Sequence, residues 1–179
     1  GLVYEEISKE FPHKEQRLFH EMQLTHGSQG VQQQIRTSER VIFLSEDRKT
    51  FVQLGQQLLA VNRLRPYVSW AGFKPKIEKA FQAMAGVVDI TVLQRVGLLY
   101  INRIEIPAPR VNLDDYFEFR PFLGEGLPQD MTTFLLGCVL PFSGERDACR
   151  LELTSSMPEK QGNTAFLLTL DYYLAQPQA

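Results

Sequence analysis

TVLQRVGLLYINRIEI, residues 91–106, is the stretch on which the fold turns. Read with a two-residue period, one face carries Val92, Val96, Leu98, Tyr100, Asn102, Ile104 and Ile106. The other carries Leu93, Leu99 and Ile101 together with Arg95, Arg103 and Glu105. Alternation of this kind marks a β-strand, because successive side chains point to opposite faces of a sheet. Fully extended, the segment would reach about 50 Å, longer than most strands, so a bend or bulge is expected near Gly97. Its centre is apolar on both faces, which predicts a central strand sheltered on both sides.

On either side of this ribbon lie the elements that would shelter it. Downstream, Pro107-Ala108-Pro109 breaks the strand, and Asn112 heads a helix of one or two turns with Asp115 in a capping-box position. Further strands are expected at Met131–Leu140, Arg150–Thr154 and Thr164–Tyr173, followed by a frayed tail from Ala175. Upstream, Trp70, Phe73, Ile77, Phe81 and Met84 recur at spacings of three and four, the stripe of an amphipathic helix on a sheet face. Pro75 fits if it stands in the first turn, and Gly86 provides a stop. Before the helix, Arg40–Ser45, Phe51–Leu54 and Gln57–Arg63 read as an antiparallel meander. A short helix is expected from Leu2 to Phe11, and His13 to Gly30 carries no clear pattern. The expected architecture is α+β: one curved antiparallel sheet of six or more strands with one main helix packed on it.

The 179 residues suit a single domain spanning 1–179. Because the chain opens on Gly1 rather than Met, a longer natural protein is expected, with Gly1 a scar of tag cleavage. Lys and Arg number 19 against 21 Asp and Glu, so no whole-chain attraction to phosphate backbones or anionic lipid follows. No run approaches the roughly 18 apolar residues of a membrane span, and nothing resembles a signal peptide. The expected compartment is cytoplasmic. Cys138 and Cys149 are too few for a disulfide scaffold or a structural zinc site. A bridge across a hairpin and two reduced thiols are both open, with the latter favoured.

Residues 59–116 resemble an uncharacterised bacterial family, sporadically distributed among genomes. The likeness rests on Leu59-Ala60-Val61-Asn62, on Tyr67-x-x-Trp70-x-x-Phe73-x-Pro75, on Arg95-Val96-Gly97-Leu98-Leu99-Tyr100-Ile101-Asn102-Arg103-Ile104, and on Leu113-x-Asp115-Tyr116-Phe117. The resemblance implies a sheet and a helix and brings no activity with it.

Chemistry is sparse. His13 and His20 would stand about 10.5 Å apart on a helix, too far to share a metal, and His26 has no partner at ligand spacing. No nucleophile elbow or phosphate-cradling glycine loop is present, and no metal or cofactor is implied. Asp114 and Asp115 diverge on a helix and suit its N-terminus. A buried Asn102 would have to be hydrogen-bonded, since a lost partner costs about 1–3 kcal/mol. Together with Asn62, Tyr100, Arg103 and Glu105 it forms either a fixed polar network or the mouth of a ligand site.

Three functions are weighed. The first is a non-catalytic binding module, self-associating through an uncovered sheet face. The second is an enzyme or ligand-processing domain built on Arg95, Tyr100, Asn102, Arg103 and Glu105. The third is a nucleic-acid-binding domain using Arg63, Arg65, Lys74 and Lys76 beside Tyr67 and Trp70, which is disfavoured because Trp70 belongs to the apolar stripe.

Overall fold

A computed structural model describes residues 2–27, 30–67, 69–128, 131–142 and 146–175, and their side chains except those of residues 20–36 and 175. The chain is α+β, with two four-stranded antiparallel sheets rather than one large one. It divides into two compact units, Gly1–Ile90 and Thr91–Ala179. The main helix folds back on its own meander and belongs to the first unit.

In the first unit, helix α1 (Leu2–Ile7) precedes strands β1 (His13–Gly27), β2 (Gly30–Leu44), β3 (Thr50–Gly55) and β4 (Leu58–Arg63), which pair in chain order. Strand β1, unread in the sequence, pairs with β2 from His13↔Leu44 to Gly27↔Gly30. Only residues 41–44 of β2 also pair with β3, so most of the first hairpin is a two-stranded ribbon. Because His13 and His20 stand in a strand, the helical spacing considered for them does not apply. The side chains of His20 and His26 lie outside the described residues.

Helix α2 (Trp70–Ala85) begins where Ser69 Oγ accepts a hydrogen bond from the Gly72 N–H, and ends at Gly86. Its buried face is Phe73, Ala80 and Ala83. Trp70 is 46% exposed and Phe81 is exposed as well, so the burial stripe is rotated from the expected one. The reason is size. Two alanines let the helix axis approach the sheet, where Ile7, Phe11, Phe43 and Val52 complete the core, whereas large rings there would hold it away. Pro75 is the sixth helical residue, not a first-turn one, and its missing N–H leaves the Ala71 carbonyl without its helical donor.

In the second unit, strands β5 (Arg95–Ile106), β6 (Leu135–Phe142), β7 (Asp147–Ser156) and β8 (Thr164–Ala175) pair in the order β5-β8-β7-β6. A single 3₁₀ turn, Leu113–Asp115, is capped by Asn112, whose Oδ1 accepts from the Asp114 N–H. The deciding stretch is a strand, but four expectations about it fail. It starts at Arg95, and its register against β8 runs unbroken through Gly97, without the expected bulge. It is an edge strand, not a central one. Leu99 and Ile101 are 55% and 64% exposed, so the second face is not covered.

The apolar alternation was real but one-sided in its use. Ile104 and Ile106 join Leu153, Phe166 and Leu168 in a core on one face of the sheet. That core is closed by the connection after β5, through Ala108, Val111, Leu113, Phe117, Phe119 and Phe134. Phe117 meets Phe166 edge-on with ring centroids 5.2 Å apart, a favoured aromatic geometry. The C-terminal tail after Ala175 lies outside the described residues.

Candidate functional site

Strand alternation decides which of the singled-out residues can meet. Tyr100 and Asn102 share the face that carries Ile104 and Ile106, whereas Arg95, Arg103 and Glu105 lie on the opposite face with Leu99 and Ile101. Asn62 stands in β4 of the other unit, where its Nδ2 donates to the Ala60 carbonyl at 3.4 Å. The five positions of β5 therefore do not converge on one site. Asn102 is exposed rather than buried, and its Nδ2 donates to the Leu168 carbonyl of the neighbouring strand at 3.3 Å.

The charged residues of β5 act as ties across the sheet. Arg95 Nη2 donates to both carboxylate oxygens of Asp171, at 2.8 and 2.7 Å, and its guanidinium lies over the Tyr173 ring. Arg103 donates to Ser156 Oγ and to the Met157 carbonyl, and it lies within ion-pair distance of Glu105 and Glu159. Glu105 Oε1 accepts from the Lys160 N–H at 2.8 Å and from Asn163 Nδ2 at 3.0 Å. The Lys160 N–H is the main reason its carboxyl is held below the ordinary range, with Asn163 and Arg103 adding to it against the cost of desolvation. A carboxylate held in its ionised form this way anchors the turn between β7 and β8. It is poorly suited to acid–base work near neutral pH.

The basic set of the first unit is largely neutralised. Arg63 donates to Asp47 at 3.1 Å and to Thr50 Oγ1 at 2.8 Å. Lys74 pairs with Glu78, and Lys76 and Lys79 both reach Glu10. Arg65 is likewise engaged. Trp70 and Tyr67 are exposed, contrary to the core position expected of Trp70, and both stand edge-on to Phe73. Two exposed rings beside cations already paired with carboxylates make a weak footing for a phosphate backbone. A small pocket of about 210 Å³ lies between these elements, lined by Thr50, Arg63, Gly72, Phe73 and Lys76.

Two features escaped the sequence reading. Asp147 is almost fully buried at the start of β7, and its Oδ2 accepts from the Tyr172 hydroxyl. The strand expected from Arg150 leaves Asp147 outside it; β7 begins at Asp147, and the alternation Asp147, Cys149, Leu151, Leu153 places it inward. Cys138 and Cys149 both hold free thiols. The other missed feature is the distribution of exposed apolar side chains on the face opposite the second core. They stand on the two margin strands, Leu99 and Ile101 on β5 and Leu135 and Val139 on β6. The strands between them carry Arg150, Glu152, Thr169 and Asp171 on that face, flanked by Leu167 and Tyr173. Among the described residues no three His, Cys, Asp or Glu side chains gather as a metal ion would need. No helix among them is long and apolar enough to cross a membrane. Comparison of the chain with protein-family models, curated proteins and solved structures yields no match.

Proposed function

We propose that this protein is a non-catalytic interaction module that associates with a second copy of itself through the sheet of its second unit. The observation that carries this reading is the exposure of Leu99 and Ile101, adjacent on one face of a twelve-residue edge strand. Exposed apolar residues on a long strand with unpaired backbone groups are a liability in a solitary chain and an asset at an interface. The polar residues of the same strand support the reading from the other direction. Arg95, Arg103 and Glu105 are tied to neighbouring strands and turns, so they hold the edge straight rather than face a substrate.

Native mass spectrometry of the full chain tests the proposal. The expected spectrum is dominated by a species of twice the chain mass at micromolar concentration. A spectrum holding only the single chain up to the highest soluble concentration would contradict it.

A further inference from the structure

We propose that β5 pairs antiparallel with β5 of a second copy in the register centred on Tyr100, joining two four-stranded sheets into one of eight. The inference rests on the interaction-module reading and gives it a geometry. In antiparallel strands, directly opposed residues share a face and touch. With the two-fold axis at Tyr100, Leu99 stands opposite Ile101, Gly97 opposite Arg103, and Arg95 opposite Glu105, each pair occurring twice. On the other face Leu98 meets Asn102 and Val96 meets Ile104.

This register covers the two most exposed apolar side chains of the strand with each other and sets Arg95 opposite Glu105 at both ends, each of them already holding partners in its own chain. Arg95 meets Asp171 through Nη2 and stays half exposed, with reach for a second carboxylate. Neighbouring registers of the same parity lose the match. A shift of one step brings Arg95 against Arg103 of the other copy, like against like. The opposite shift sets Leu99 against Arg103 and carries Arg95 past the strand to Pro107. Parity cannot change, because a one-residue slip would set inward residues against outward ones.

The other margin of the sheet is a poorer edge. Strand β6 has eight residues and contains Pro141, which has no N–H to give to a ladder. Pairing β5 with β6 of the next copy would also leave a free edge on each end and grow without closing. Pairing of β5 with itself closes at two copies and consumes the better edge of both.

Light scattering after size exclusion, with circular dichroism as the control for folding, tests this on the full chain. Leu99 and Ile101 are both more than half exposed, so L99K and I101E are tolerated by the fold. In β5, Leu99 faces Asp171 on β8, so the introduced ammonium is accepted within the chain. Each single variant should lose the dimer and run at the single-chain mass. An equimolar mixture of the two should regain it, because the introduced ammonium and carboxylate then face each other while Ile101 of one copy still meets Leu99 of the other. V139K, on the exposed margin of β6, should remain dimeric. A dimer that survives both L99K and I101E would overturn the pairing while leaving self-association standing. Loss of the dimer without rescue in the mixture would overturn the register, and its loss in V139K would overturn the choice of edge. A wild-type chain of single mass would overturn both this inference and the reading beneath it.

Discussion

Asp47 shows how much one side chain can organise. In the turn between β2 and β3 its carboxylate accepts from Ser45 Oγ at 2.6 Å, from the Lys49 N–H at 3.0 Å and from Arg63 at 3.1 Å. Ser45 is the largest cause, then Lys49, and with Arg63 they outweigh desolvation and hold its pKa well below the ordinary 3.8. A depressed carboxylate contributes stability that is present above its unfolded value and is lost as pH falls through the folded one. Glu15 is lowered chiefly by Arg17. Glu10 is lowered by Lys79 and Lys76, which together outweigh its burial. The thermal midpoint should therefore fall steadily as pH drops below about 4. D47N keeps the shape of the turn but cannot titrate, so its midpoint should start lower at neutral pH and fall less steeply in acid. A second residue-scale expectation concerns Leu153, which is fully buried. L153A should cost about 2–5 kcal/mol in urea unfolding, since the transfer and cavity terms both apply there. At this scale the turn was legible from Glu46-Asp47-Arg48-Lys49 between apolar runs, but Asp147 was not. Its burial depends on where a strand begins, and strand ends are set by pairing partners far away in sequence.

At the scale of the element, α2 and β5 make the same point. Both were recognised as a helix and a strand from period alone, and the seven other principal strands and the first helix were mostly found, with β1 the exception. The sequence His13-Lys-Glu-Gln-Arg-Leu-Phe-His lacks the alternation of a half-buried strand, and its pairing with β2 is what makes it one. Which face of an element is buried was less legible than its type. In α2 the largest side chains suggested one stripe, and the alanines that permit close approach chose another. A80L should therefore cost about 1–3 kcal/mol by overpacking against Phe43 and Val52. P75A should stabilise by roughly 1–3 kcal/mol, because it restores the hydrogen bond to Ala71 and removes the ring from a helix interior. Both are read from urea denaturation with circular dichroism. In β5 the two-sided apolar pattern predicts shelter on both faces. Its physical content is weaker: it gives the residue types on each face, not what covers them.

For the whole molecule, the sequence carried the class, α+β with antiparallel strands; the boundary between the two units falls at Ile90. That break has no linker composition to announce it, because each sheet closes its own core with residues close by in sequence. The first core uses the two helices that flank its meander, and the second uses the connection after β5. A strand thought central is thereby left at a margin. Two demands, exposed apolar side chains and a position at the sheet margin, then coincide among the described residues on one twelve-residue stretch. Strand pleating puts Tyr100 and Asn102 on one face and Arg95, Arg103 and Glu105 on the other, so the five side chains do not share one face. The proposed pairing with a second copy would answer both demands at once.

Amide hydrogen exchange along residues 95–106 tests that claim most directly. In an isolated edge strand, alternate amides point to water and exchange quickly; in a paired one, all are held. Protection of both sets, increasing with protein concentration, is the predicted result. Rapid exchange at every second amide of β5, unchanged on concentrating the protein, would contradict it.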